Sequence, residues 1–460
     1  MKVAFFDNGN LSILFSFISN YLNSKGIKSY ILTLSKRKKF FLERKFNTQN
    51  VFYLDFSNAD PAEGKRILMD IENRMNEFRL YKAIYMDRVL KYGNELKVKE
   101  YLYNFASVLD KFIQENDISV IFGEVTWAIE YIAYFIMLYR NKKYFVPMNN
   151  YVIPGKFSFL DYKNTKSFIK KQPITKDYEV ARTIYLQRKS TDINKQAKFL
   201  QTYMPPNFRD RFSVLINSWN LEDYRYSLKL KLRILNQYKN RLIINKLSNS
   251  LFLTMADLKK TQKYAIYLLH IQPEATPDVV STEYNDQLRL IEVIRNVLPS
   301  DILLLVKEHP NGIGSRNIST LKKIKNIPGV ELIHPKILMK ELFPYISITF
   351  TIAGTVSFES SINGIPAIIF SDIYLDIFPL IKKEFSFKNL ANTIMEQLKL
   401  ANRVYFQSEI EDQNIEAIAK INANTFDGKI YDPLLSKDVL FRDNLENISN
   451  AFYRFIKNEI

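Results

Sequence analysis

Apolar residues open the chain as a block, Val3-Ala4-Phe5-Phe6, give way to a polar turn, Asp7-Asn8-Gly9-Asn10, and then recur at helical spacing from Leu11 to Leu22, closed by Gly26. The pattern predicts a strand, a turn and a helix. Further strands are predicted at 27–34, 51–56 and 118–122, with helical spacing over 62–80, 94–116 and 126–140. Strands alternating with helices imply a parallel, doubly wound sheet over 1–155. From 156 to 255 the chain turns to long helix-like stretches rich in Lys, Arg, Leu and Tyr, broken at Pro205-Pro206, and reads as a helical insert or linker. Alternation resumes at 264–269 and continues at 302–306, 330–333, 346–351 and 367–370, which predicts a second doubly wound domain over 256–400. The rest, 401–460, reads as helices that pack back on the N-terminal domain. Its last stretch is amphipathic, with Leu445, Ile448, Phe452, Phe455 and Ile456 on one stripe. The expected fold class is α/β, two Rossmann-like domains facing a cleft, with ligands bound outside the carboxyl ends of the strands.

Composition narrows the chemistry. At 460 residues the chain is too long for one ordinary core, and 47% hydrophobic with 25% charged residues excludes disordered and collagen-like classes. There is no Cys, hence no disulfide, thiolate zinc site, iron–sulfur cluster or cysteine nucleophile. His270, His309 and His334 are the three histidines, so a three-histidine metal site would need all of them, and no metal or cofactor is expected. The start, MKVAFFDNGN, lacks the apolar run of a secretion signal, and the tract 128–139, interrupted by Glu130, falls short of the roughly twenty residues that span a bilayer. A cytoplasmic protein is expected. Sixty-five Lys and Arg against 48 Asp and Glu leave a net charge of +17, which points to anionic partners. No zinc-finger, RRM or basic-zipper pattern supports nucleic acid as one of them.

Three segments carry candidate chemistry. After the strand 302–306 come Lys307, Glu308, His309 and Pro310, where the lysine can neutralise phosphate and the imidazole can hydrogen-bond a phosphate oxygen or protonate a leaving group. After the strand 346–351, a small-residue turn with Gly354 and Thr355 opens a helix whose first N–H groups suit an anion; Ser357 adds a hydroxyl, and Glu359 can accept from a ribose. The turn is neither a Walker loop nor a three-glycine dinucleotide fingerprint. After 264–269 runs a polar loop, His270-Ile271-Gln272-Pro273-Glu274. In the first half, Asp7 and Glu124 each follow a strand, and either carboxylate is a candidate general base. Lys229, Lys231, Arg233, Lys239, Arg241 and Lys246, with no acid among them, could rest on an anionic membrane face.

Gln272-Pro273-Glu274-Ala275-Thr276, Val306-Lys307-Glu308-His309-Pro310, and Gly354-Thr355 with Glu359 and Gly364-Ile365-Pro366 resemble, in order and spacing, the bacterial capsule and surface carbohydrate biosynthesis family. The likeness is strong over about 260–375 and weaker at Gly123-Glu124 and at 153–157, where Lys156 stands in place of an expected Arg. That resemblance implies a GT-B glycosyltransferase related to the Kdo transferases of capsule synthesis. It would bind a nucleotide-sugar, with a CMP-linked ulosonic acid favoured, in the C-terminal half, and a glycan or lipid-linked acceptor in the N-terminal half. It further implies His309, Lys307, Thr355 and Ser357 at the donor phosphate and Glu359 at the ribose. Glu308, Pro310, Gly354, Gln272 and Lys156 would line the substrate, and Glu274 would act on the donor side. No Asp-x-Asp sequence occurs, which suits transfer without a metal. A UDP-sugar epimerase or hydrolase, or a non-catalytic scaffold, is the alternative.

Overall fold

The computed structural model describes residues 1–189, 225, 228–272, 274–401 and 407–459. Two compact α/β units divide the chain: Met1–Tyr162 with Pro206–Lys231 and Thr425–Ile460, and Lys163–Pro205 with Leu232–Asn424. The Pro205-Pro206 break lies outside the described residues.

The first unit is built on β1 (Lys2–Phe6), β2 (Lys28–Thr33), β3 (Val51–Tyr53), β4 (Val120–Phe122), β5 (Lys143–Asn149), β6 (Lys156–Leu160) and β13 (Phe426–Asp427), in the order β13-β6-β5-β4-β1-β2-β3. Strands β5, β4, β1, β2 and β3 run parallel, and β6 and β13 extend the edge antiparallel. The segment 156–160, expected to begin a helical insert, is thus a strand of this sheet, between β5 and the edge strand β13. Short strands beside Pro154-Gly155 carry too little alternation to be seen in sequence. Thr425–Ile460 includes the two-residue strand β13, where no strand was expected. Its helix Arg442–Glu459 buries Ile448, Phe452, Phe455 and Ile456 among Phe5, Phe122 and Phe159, with the Phe159 and Phe455 rings stacked at 4.0 Å.

The helix Pro61–Arg74 lies against the helix Glu95–Glu115, and Gly64 is where their backbones meet: a Cβ there would sit 1.9 Å from the Tyr103 carbonyl oxygen. Backbone cannot yield as a side chain does. Gly64→Ala should therefore cost at least the upper end of the ordinary overpacking range, about 3 kcal/mol, measured by denaturant unfolding. An unchanged midpoint would mean that the two helices separate freely.

The second unit holds β7 (Lys263–Leu268), β8 (Ile302–Lys307), β9 (Val330–Ile333), β10 (Ile346–Thr351), β11 (Ala367–Ile369) and β12 (Ile381–Lys383) in the order β12-β11-β10-β7-β8-β9, all parallel. Both units are Rossmann-like doubly wound sheets, the fold class read from the sequence. Near-continuous apolar runs such as Ile302–Val306 and Ala367–Phe370 are what a sheet covered on both faces requires. The basic stretch lies on a helix, Leu228–Lys246. Its Ile244 is buried in the second core and its Gln237 and Arg241 lie against Gly314, while Lys239, Arg241 and Lys246 are exposed. The side chains of Lys229, Lys231 and Arg233 lie outside the described residues. Among the described residues no helix is long and apolar enough to cross a membrane.

Candidate functional site

In the second sheet the chain runs from β7 outward through β8 and β9, then returns to the other side of β7 for β10. Strand order reverses between β7 and β10, and such a switch point leaves a crevice at the carboxyl ends. The described residues singled out from sequence in this half lie at that edge, at the end of β8, in the loops after the strands and in the first turn of the helix Val356–Ile362. His270 ties its two sides together: its Nε2 accepts from the Ala353 N–H at 3.2 Å and lies 2.9 Å from Thr351 Oγ1. Burial, together with the charges of His309 and Arg316, pushes this imidazole down to about 3, so it is neutral. Gly354 is needed because a Cβ would lie 2.6 Å from Thr351 Oγ1, the oxygen that accepts the Gly354 N–H at 3.1 Å.

His309 is exposed, and its Nδ1 accepts from the Asn311 N–H at 3.1 Å, which leaves Nε2–H as an outward donor. Desolvation of the ring and the charge of Lys307 push it down to about 4, so near neutral pH it donates a hydrogen bond without carrying a charge. Thr355 stands at the N-cap position of the helix Val356–Ile362 without a side-chain cap bond and is partly exposed, and the Ser357 N–H of that first turn already bonds the Gly354 carbonyl at 3.1 Å. Glu359, its side chain 26% exposed, is 3.7 Å from Arg188. Burial holds its carboxyl above the usual range, with Arg188 and then Lys340 pulling it back. The Arg188 guanidinium also lies over the Phe358 ring at 5.4 Å.

Other expected ligands are committed to the protein. Lys307 is buried and donates to the Pro335 carbonyl at 2.6 Å; burial pushes its ammonium down to about 8. Glu308 is buried and held by Arg316 through bonds of 2.7 and 2.9 Å, and Arg316 reaches on to the His270 carbonyl. The buried Ser357 hydroxyl donates to the Gly354 carbonyl at 2.8 Å. Gln272 donates to Asp278 and to the Asn285 carbonyl and accepts from Gln287, which in turn brackets the His270 backbone. It therefore shapes the loop. Pro273 lies outside the described residues, Glu274 is exposed with its N–H on Asp278 at 3.0 Å, and Pro310 is exposed at the first position of a short turn.

The first unit separates its two candidate bases. Asp7 is 1% exposed, with one carboxylate oxygen on Lys38 at 2.6 Å and the other on Thr33 at 3.0 Å. Both oxygens are engaged, so a proton acceptor at this position would first have to break a buried ion pair. Lys38, one of four consecutive basic residues, turns inward here. Glu124 is partly exposed and accepts from Asn8 Nδ2 at 2.7 Å on Oε2, while Oε1 carries no hydrogen bond from the described residues. Burial lifts its carboxyl to about 7; Arg88 and Arg225 pull it down and Asp432 adds to the rise. A carboxylate tuned so is suited to general-base work. Lys156, the expected cation, starts β6 and pairs with Asp427 across the strands at 3.3 Å. Sequence reasoning missed Arg88, Arg188, Arg316 and the buried pair Glu130–Arg225 at 2.9 Å, which carry no motif and meet their partners only through the fold.

No family model and no curated protein matches the chain. Among solved structures it is similar to KpsC, a beta Kdo 2,7 transferase from Thermosulfurimonas dismutans, at 10% identity over 93% of this chain and 98% of that one, with a TM-score of 0.36. It is similar to UDP-GlcNAc 2-epimerase from Methanocaldococcus jannaschii in complex with UDP-GlcNAc and UDP, at 11% identity over 86% and 93%, TM-score 0.27. MurG from Acinetobacter baumannii is a third, at 8% identity over 98% and 99%, TM-score 0.28. Likenesses at this level do not bear on chemistry, which has to come from this chain's own residues.

Proposed function

We propose that the chain is a metal-independent glycosyltransferase of the GT-B kind, working in surface polysaccharide assembly, capsule or lipopolysaccharide. It transfers a sugar, an ulosonic acid of Kdo or sialic type carried on CMP, to a glycan or lipid-linked acceptor at the inner face of the plasma membrane. The observation that carries the reading is the β7/β10 switch point. There an exposed imidazole and the first amides of a short helix offer donors that would suit an anion, and a carboxylate that would suit a ribose lies 3.7 Å from a guanidinium.

In the reaction, the bond between the sugar and the phosphate oxygen breaks and the phosphate keeps the electron pair. His309 Nε2–H and the amides of Thr355 and Val356 stabilise that growing charge as preorganised donors. Glu359 holds the ribose hydroxyls. Arg188, beside Glu359, supplies the positive charge that the buried Lys307 cannot. The acceptor oxygen bonds to the sugar carbon, and its proton passes to Glu124. Asp7, Glu308, Gln272 and Ser357 keep the frame in place.

The test is a thermal-shift panel of CMP, CDP, UDP, GDP and dTDP. CMP should raise the melting temperature selectively, because it binds the folded state alone, and Glu359→Ala should weaken that binding at least about tenfold. Stabilisation by UDP, GDP or dTDP in its place would move the donor to the hexose class. No shift with any nucleotide would sink the reading.

A further inference from the structure

We propose that Glu130 and Arg225 are positioning residues that fix the direction of a hydrogen-bond relay through Thr126 and Asn8 to Glu124, so that Oε2 of Glu124 always receives a donor and Oε1 is left to take up a proton. The catalytic meaning of the relay rests on the proposed function; the relay itself does not.

The argument follows the protons. Glu130 and Arg225 are 0% and 1% exposed, and Arg225 Nη1 donates to Glu130 Oε1 at 2.9 Å. The other oxygen of Glu130 accepts from the Thr126 N–H at 2.7 Å and from the Thr126 hydroxyl at 3.0 Å. Guanidinium and backbone N–H have no lone pair to offer and engage one oxygen each, so the partners fit a carboxylate, whereas burial lifts the group to about 8, with Arg225 and Thr126 pulling it back. In the ionised form the Thr126 hydroxyl donates as well. The single hydroxyl proton of Thr126 is thereby used. Its oxygen must then accept from whatever Asn8 presents at 2.9 Å, which fixes Nδ2 on that side. The second proton of the same Nδ2 goes to Glu124 Oε2 at 2.7 Å. With the amide reversed, Asn8 Oδ1 would face Glu124 and demand its protonated form. Arg225 Nη1 also donates to the Asp7 carbonyl at 2.9 Å, tying the turn after β1, which carries Asn8, to the helix Ala128–Tyr139, which carries Glu130.

The charged and titratable groups around Glu124 come from several elements. Arg88 stacks over Trp127 at 4.7 Å, Asp432 is held by Asn10 at 3.1 Å, the Tyr144 hydroxyl donates to the Glu124 carbonyl at 3.1 Å, and Glu130 and Arg225 lie beyond Thr126. A simple through-space effect of Glu130 on Glu124 is therefore the competing account, and it predicts the opposite sign. Removing a negative charge should make Glu124 easier to ionise. In the relay, Glu130→Gln keeps its oxygen on Arg225, the stronger donor, so its amide NH2 faces Thr126, gives up the Thr126 N–H bond, donates to the hydroxyl, turns that hydroxyl towards Asn8, flips the Asn8 amide, and favours protonated Glu124.

The experiment is a pH titration of the full chain labelled with carboxyl-13C glutamate, the Glu124 signal being the one that Glu124→Gln deletes. Glu130→Gln should move the Glu124 midpoint up by about one pH unit or more. Thr126→Val keeps both charges and removes only the hydroxyl, so it should move the midpoint in the same direction by less, which also covers the case in which Glu130→Gln does not fold. A downward or unchanged midpoint in Glu130→Gln, or none in Thr126→Val, overturns the relay. Upward shifts with no nucleotide bound would uphold the relay and sink the proposed function, whereas nucleotide binding with an unmoved titration would do the reverse.

Discussion

Glu124→Gln should slow transfer by about a hundred- to ten-thousand-fold while leaving the nucleotide-induced rise in melting temperature intact. That range is the usual contribution of a positioned general base. The residue sits in the first unit and the nucleotide reading in the second, so binding and turnover should part company. The pH profile adds a second signature. With the carboxyl lifted to about 7, the active form is the deprotonated one, so turnover should hold above that value and fall about tenfold per unit below it. Asp7→Asn is the informative contrast: it unpairs a buried Lys38 and should lower stability before it alters that limb of the profile. Equal activity of wild type and Glu124→Gln at pH 8 would remove Glu124 from the chemistry.

Arg316→Met carries the second large effect, in stability. Arg316 is the partner that neutralises Glu308, and the two are 9% and 4% exposed, so cutting the guanidinium strands a carboxylate inside the protein. Breaking such a pair by removing one member costs about 3–5 kcal/mol. It also releases the His270 carbonyl at the switch point. His309→Ala, at the very next residue after Glu308, alters an exposed residue and should cost less than about 1 kcal/mol while weakening nucleotide binding. Denaturant melts of the two variants side by side check the pair of expectations. Comparable stability in both would mean that Glu308 gains water when Arg316 is lost.

That contrast also marks how far sequence can be read. The strand ending at Lys307 was legible because Ile302–Val306 is an unbroken apolar run, and so was the polar cluster after it. Direction was not. Of Lys307, Glu308 and His309, the fold turns the first two inward, onto Pro335 and Arg316, and leaves the imidazole outside. Nothing in a four-residue word specifies that, because the partners are supplied by loops eight and 28 positions away. Arg188 and Arg225 were harder still. Each finds its carboxylate more than ninety positions off, Glu130 being 95 residues from Arg225. The short strands β5, β6, β12 and β13 escaped for a local reason: two to seven residues, with Pro147 inside β5 and two lysines in β12, fall below what alternation can reveal.

The sheet of the first unit begins with β1 at Lys2 and is completed only by Phe426 and the helix Arg442–Glu459, whose Phe452 and Phe455 sit against Phe5 and Phe122. A chain made from its amino end must hold that half-built aromatic core open while nearly the whole of the second unit is synthesised. Domains ordinarily settle in the order in which they are made. Here the order is inverted: the second unit can close first, and the earliest-made strands wait longest with Phe5, Phe122 and Phe159 uncovered, which makes this stretch of the protein the one a chaperone would hold.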